Sequence, residues 1–179
     1  DMPYQMINGI EYFTFESLNH AGVKHGVFTR KGGVSPHPWS SLNLGGTVGD
    51  PKGNVITNRR RIFDLFSLPV ESIYDAWQVH STVVVCAEVP RPLVQPHQKA
   101  DAILTDKENI TLFMRFADCV PILLFDPNKR VIGLVHAGWK GTVNRAAVKA
   151  VKKMQEVYGS TPADVLACIG PSIGPDHYQ

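Results

Sequence analysis

Two imidazoles and one thiol occupy positions in this sequence from which they could share a metal ion. His80 follows an apolar run over residues 73–79, Cys119 comes shortly after one over 110–116, and His136 follows one over 131–135. Each run reads as a strand, and a strand end is a rigid mount for a ligand. Two His and one Cys suit Zn²⁺, with Cu²⁺ as the other candidate. Three protein ligands also leave a fourth position open for water or a substrate atom, the pattern of a catalytic site. His25 and Cys86 are candidate fourth donors, but Cys86 falls mid-strand and no CxxC or HxxxH pairing supports either. From spacing alone the plainer reading is the stronger, with Cys119 a small buried hydrophobe and each His holding one hydrogen bond. Blue copper fits poorly, because such sites carry Cys, His and Met close together. Without a metal, Cys119 with His136 as base would form a thiolate nucleophile for acyl or amide substrates.

Other residues could serve such a centre. In HAGWKGT (136–142), Gly138 and Gly141 turn the chain from a strand into a helix, whose first N–H groups favour an anion; a tight turn packed by Trp139 explains the segment equally well. It is not a Walker loop, since GxxxxGK[ST] is absent. Arg30 precedes the flexible Gly32-Gly33 and could reach a phosphate or carboxylate. Asn43 could read a sugar hydroxyl or a base edge, although forming a turn is the commoner use of such an Asn. Asp118 could orient a ligand or carry a proton, or merely cap backbone N–H groups. Arg59, Arg60 and Arg61 are successive helical residues about 100° apart, so most of that run should be solvated.

The positioning elements are short. Strands are expected over 10–15, 25–29, 73–79, 82–89, 102–105, 110–116, 122–125, 131–135 and 165–169. Asp50-Pro51 should start a helix that reaches about residue 68, with Asp50 as the N-cap. A second helix is expected over 142–158, with Val143, Ala147, Ala150, Val151, Met154 and Tyr158 on its buried face and Gly159 ending it. Asp126 to Lys129 should turn one strand back on the next, and the loop over 30–50 has a length that usually signals function. The sum is an α/β (α+β) layered domain with a mixed β-sheet and flanking helices, read as a single domain over 1–179.

Its 179 residues, 44% of them hydrophobic, can build a substantial core. A formal charge of +2 with no long like-charge block gives no footprint for nucleic acid or a membrane surface. Three scattered cysteines argue against a disulfide framework. With no signal peptide or membrane-length apolar run, the expected location is the cytoplasm. The Gly/Pro-rich end over 169–179 leads into no further element, so the chain reads as a fragment. Oligomeric state is not legible.

Seven motifs carry a resemblance: HGVFTRKGGVS (25–35), SLNLG (41–45), WQVHS (77–81), ADAILT (100–105), ADCVPIL (117–123), HAGWKG (136–141) and IGPSIG (169–174). Their order and context resemble the YfiH, or laccase-domain, family over about residues 25–179. The resemblance implies that His80, Cys119 and His136 bind a metal, usually zinc, and it reverses the preference drawn from spacing. It also implies a fold akin to the deamidating-toxin cysteine hydrolases. The activity implied is that of a purine nucleoside enzyme, with phosphorolysis of adenosine, inosine and methylthioadenosine and deamination of adenosine. Copper-dependent polyphenol oxidation and Cys-dependent editing of peptidoglycan precursors are the alternatives. On the nucleoside reading, a metal-activated water attacks the purine C6 with Asp118 as proton carrier, Arg30 and the 138–142 N–H groups hold phosphate, and Asn43 reads ribose or base. Ser81, Phe116 and Ser172 depart from the family pattern, which often has Gly, a small hydroxyl residue and Cys there. The family also normally continues past the tyrosine that matches Tyr178.

Overall fold

The computed structural model describes residues 1–178 and contains ten short strands and four helices among them. They cluster into two compact units, Asp1–Val70 and Glu71–Gln179.

The first unit is built on an antiparallel sheet of β1 (Tyr4–Ile7), β2 (Ile10–Phe13) and β3 (Val27–Phe28). Asn8 and Gly9 join β1 to β2 with φ of 52° and 77°, the paired left-handed conformation that a two-residue hairpin demands and that Asn-Gly adopts most readily. Neither β1 nor the short helix α1 (Glu16–His20) was expected. Helix α2 (Lys52–Leu65) forms where Asp50-Pro51 predicted one, but Pro51 takes the N-cap position. The Asp50 carboxylate instead accepts hydrogen bonds from Ser35 Oγ (2.6 Å), Asn43 Nδ2 (2.9 Å) and Asn54 Nδ2 (2.9 Å). Buried Asn58 completes this clamp. Its Nδ2 donates to Ser35 Oγ, Ser41 O and Asn43 O, and its Oδ1 accepts from the Val34 N–H. The long loop is therefore held by polar groups as backbone secondary structure would hold it. Ile10, Tyr12, Leu42 and Ile62 form the unit's core.

The second unit holds a five-stranded mixed sheet in the order β10-β8-β9-β6-β5. Its strands are β5 (Val84–Cys86), β6 (Ala102–Thr105), β8 (Val120–Asp126), β9 (Val131–Ala137) and β10 (Leu166–Ile169). Only β5 and β6 run parallel; the expected turn at Asp126 makes β8 and β9 an antiparallel hairpin. A separate parallel pair joins β4 (Ile73–Asp75) to β7 (Thr111–Phe113). On one face of the larger sheet, Ala102, Leu104, Leu124 and Val135 pack against Ala146, Ala150 and Met154 of helix α4 (Ala146–Tyr158). On the other face, Ile103 and Leu134 meet Tyr74, Ile110, Leu112 and Met114. Burial on both faces is why these strands read as unbroken apolar runs.

The helix expected over 142–158 is in fact two. Helix α3 (Trp139–Val143) ends at Asn144, and Arg145, at φ 58°, turns the chain into α4. Periodicity could not show this break, because Val143 and Ala147 keep the four-residue spacing across it; Val143 lies exposed rather than on the buried face. Gly159 ends α4 at φ 70° as expected. No helix among the described residues is long and apolar enough to cross a membrane.

Two packing features generate predictions. Gly133 of β9 lies between Leu104 of β6 and Leu124 of β8, and a Cβ there would stand 2.6 Å from Leu104 Cδ2. Gly133→Ala should cost about 1–3 kcal/mol by overpacking, read as a lowered midpoint in urea. The second feature is Asp75, fully buried, which accepts Arg91 Nε (2.6 Å), His97 Nε2 (2.8 Å) and an Arg115 terminal nitrogen (2.8 Å). Burial pushes its carboxyl up, but the bond from Arg91, the charge of Arg115 and the contribution of His97 together hold it below its ordinary value. A carboxylate depressed in the folded state contributes stability above its unfolded pKa of about 3.9 and loses it as pH falls through the folded value. Asp75→Asn should therefore cost about 3–5 kcal/mol at neutral pH, since it strands buried Arg91, and flatten the loss of stability between about pH 5 and pH 3 in acid titrations of unfolding.

Candidate metal centre

Strand pairing brings two of the three candidate ligands together. His136 lies within β9, not beyond its end, and pairs with Pro121 of β8, while Val120 pairs with Ala137. Cys119, immediately before β8, thus falls beside Gly138, immediately after β9. The segment after β10 braces this corner, with the Gly170 N–H on Pro121 O (2.8 Å) and the Ile173 N–H on Asp118 O (3.0 Å).

His80 arrives differently. Strand β4 stops at Asp75, so His80 has no strand end beneath it and sits at φ 59° in irregular chain. Its mount is Asp101, the residue before β6. One carboxylate accepts the backbone N–H groups of Val79 (3.2 Å), His80 (3.0 Å) and Ser81 (2.7 Å), and also Ser81 Oγ (2.7 Å). The same carboxylate meets His136 Nδ1 at 2.9 Å, in surroundings where Asp101 is 0% and His136 4% exposed. With Nδ1–H donating to Asp101, the His136 Nε2 lone pair is the one left for a metal.

The result is a compact donor set. Cys119 Sγ lies 3.8 Å from His80 Nε2, and the ligand atoms of His80, Cys119 and His136 all fall within 4.8 Å of one another. Tetrahedral zinc holds N and S donors roughly 3.3–3.8 Å apart, so the set suits one ion after a small contraction. Gly138 makes this proximity affordable to the backbone: a Cβ there would stand 2.9 Å from Cys119 Sγ and 3.2 Å from His80 Cδ2. Phe116 covers one side of His136, its ring centroid 5.5 Å away.

Electrostatics separate a metal ligand from a free nucleophile. Burial pushes the Cys119 thiol up, and the negative charges of Asp118 and Asp101 push it further. Such surroundings do not activate a lone thiol, whereas a bound cation would deprotonate it outright. The imidazole in contact with the sulfur is that of His80, not His136, the base expected from sequence.

The remaining candidates divide between the two units. Asp118 is exposed, at φ 74°, next to the sulfur ligand. Gly138 to Thr142 open the five-residue helix α3, whose Trp139 is 62% exposed. Arg30 and Asn43 belong to the first unit. Arg30 is exposed, with Nε on Ser40 O (2.9 Å). The Asn43 amide is committed to a turn, donating to Asp50 and Gly45 O and accepting from the Gly45 N–H. Of the candidate fourth donors, His25 uses both ring nitrogens, accepting the Phe15 N–H at Nε2 and lying 2.8 Å from Val23 O at Nδ1. Cys86 interacts with Tyr158, whose hydroxyl is pushed well above its ordinary range by burial and by that thiol. Asp101 was missed by sequence reasoning, although an acid directly ahead of the wholly apolar run Ala102-Ile103-Leu104 marks a carboxylate that must be buried and paired.

The family model described as multi-copper polyphenol oxidoreductase laccase matches residues 24–179. The chain belongs to this laccase family. It is 39% identical over 161 residues to purine nucleoside phosphorylase YlmD of Bacillus subtilis, covering 87% of this chain and 58% of that protein. It is 37% identical over 157 residues to a purine nucleoside phosphorylase of Deinococcus radiodurans, covering 88% and 59% respectively. The chain therefore spans about three fifths of the length of these curated relatives. Among solved structures, YlmD from Geobacillus stearothermophilus matches with a TM-score of 0.90 at 32% identity, over 99% of this chain and 68% of that one. The hypothetical protein YfiH of Bacillus licheniformis matches at 0.89 and 33%, over 98% and 67%. The fold and family expected from the seven motifs are those found.

Within this laccase-family corner the two glycines differ. A Cβ on Gly141 would meet only ordinary contacts, 3.5 Å from His136 O and beyond. Gly138→Ala should therefore weaken metal binding by at least about tenfold by parting the donors, while Gly141→Ala should leave it within about twofold, both read by competition titration with a chromogenic chelator.

Proposed function

We propose that this chain carries the zinc-dependent centre of a purine nucleoside enzyme that phosphorolyses adenosine, inosine and methylthioadenosine and deaminates adenosine. The observation that carries this reading is the convergence of three donors of the type zinc prefers, one fewer than a closed tetrahedral site would take. The names borne by the relatives supply the substrate class. When bound, zinc supplies a Lewis acid at that open position.

The chain's own residues then divide the work. His80 and His136 would hold the metal through imidazole nitrogens, and Cys119 through its sulfur. Asp101 holds the proton on His136 Nδ1, so that Nε2 stays a donor to the metal. Asp118, exposed beside the sulfur ligand, is the group that would carry protons between substrate and solvent. Phe116 excludes water from one side of His136.

The family's description names copper and phenol oxidation. Four-electron reduction of oxygen draws on several coppers, and the described residues offer one group of three such ligands. A single-ion hydrolytic or phosphorolytic centre is the better match to that donor count.

Incubation with inosine or adenosine should release hypoxanthine or adenine together with ribose 1-phosphate, and only when phosphate is present. Cys119→Ala should lower kcat/KM by at least about 100-fold, and a chelator should do the same to the wild type until zinc is restored. Protein holding one zinc per chain yet turning over no nucleoside would dispose of this reading.

A further inference from the structure

We infer that Asp101 is the positioning residue of the metal centre, setting the direction of both imidazoles through one buried carboxylate. The inference rests on the metal reading above but not on any particular substrate. His136 and His80 come from unlike parts of the chain, a central strand and an irregular segment, and nothing in their local structure would make them converge. Asp101 faces both. Its Oδ2 accepts the N–H groups of Val79 and Ser81 and the Ser81 hydroxyl, while its Oδ1 accepts the His80 N–H and lies 2.9 Å from His136 Nδ1.

Three successive N–H groups can point at one carboxylate only if the backbone curls around it, in the manner of an anion-binding nest. His80 accordingly lies at φ 59°, in the left-handed region that residues other than glycine enter uncommonly. The bonds to Asp101 hold the segment in this form, with the His80 ring 3.8 Å from Cys119 Sγ. Ser81 strengthens the arrangement. Its hydroxyl adds a further donor at 2.7 Å.

The consequence for His136 is chemical as well as geometric. A carboxylate can only accept, so Nδ1 must carry the proton and Nε2 must present a lone pair. An amide at position 101 cannot accept on both sides. With its oxygen facing Ser81, its NH₂ group faces His136 Nδ1 and drives the imidazole proton to Nε2, where it blocks coordination. Asp101→Asn therefore changes the tautomer and also takes the acceptor from the His80 N–H, which shares that position.

The experiment uses metal-free protein labelled with ¹⁵N on histidine, with the imidazole signals recorded at about pH 9, above the ordinary His range. Wild type should show His136 protonated on Nδ1, and folded Asp101→Asn should show it protonated on Nε2. Zinc affinity by chelator competition should fall about 10–100-fold in Asp101→Asn, while Ser81→Ala keeps the wild-type tautomer and loses less. A wild-type His136 protonated on Nε2 would overturn the inference even if Asp101→Asn proves unable to fold. So would a folded Asp101→Asn with zinc affinity within twofold of wild type, or a wild type that binds no zinc. Zinc binding and tautomers as stated, with no nucleoside turnover, would overturn the substrate reading and leave this inference standing.

Discussion

A carboxylate removed from water must be surrounded by donors or it destabilises the fold by several kcal/mol. Asp101 meets that demand by gathering five hydrogen bonds from two separate stretches of chain. Burial alone would raise its pKa, but the Ser81 hydroxyl, His136 and the backbone N–H groups of Ser81 and Val79 outweigh that and hold it low. The requirement works in both directions. The sheet places residue 101 where it cannot reach water, and the N–H groups around His80 turn toward its carboxylate. The ligand set follows from satisfying a buried charge, more than from any property of the histidines themselves.

Sequence disclosed the layers of this fold because their signals are local. Runs such as residues 122–125 and 131–135, the Asp126 turn and Gly159 each report on a few neighbours, and the structure agrees with them. Two of the misses have the opposite character. The break at Arg145 leaves apolar spacing intact, so periodicity runs through it. The clamp by Asp50 and Asn58 depends on partners far along the chain, which is why Asp50 looked like a helix cap. The hairpin at Asn8-Gly9 was legible and was overlooked, since its dipeptide is among the strongest turn signals.

For the site, residue types and motif order identified His80, Cys119 and His136, but not how they are held. Spacing could not show that Cys119 and His136 meet through strand register, that a glycine must stand between sulfur and imidazole, or that one acid serves both histidines. Asn43 illustrates the converse. Its amide has the chemistry to read a ligand, yet the loop uses that chemistry on itself. A polar side chain in a long loop is first a candidate for holding the loop.

The two histidine mounts differ in how firmly the fold grips them. Strand β9 is flanked on both sides, by β8 and by β6, so its interior amides can exchange with solvent only when the sheet itself comes apart. The stretch carrying His80 belongs to no strand of that sheet, and the N–H groups of Val79, His80 and Ser81 are all held by one side chain. The centre thus joins a histidine fixed inside a sheet to one whose backbone N–H groups rest on a single carboxylate, two mounts of unlike local stability.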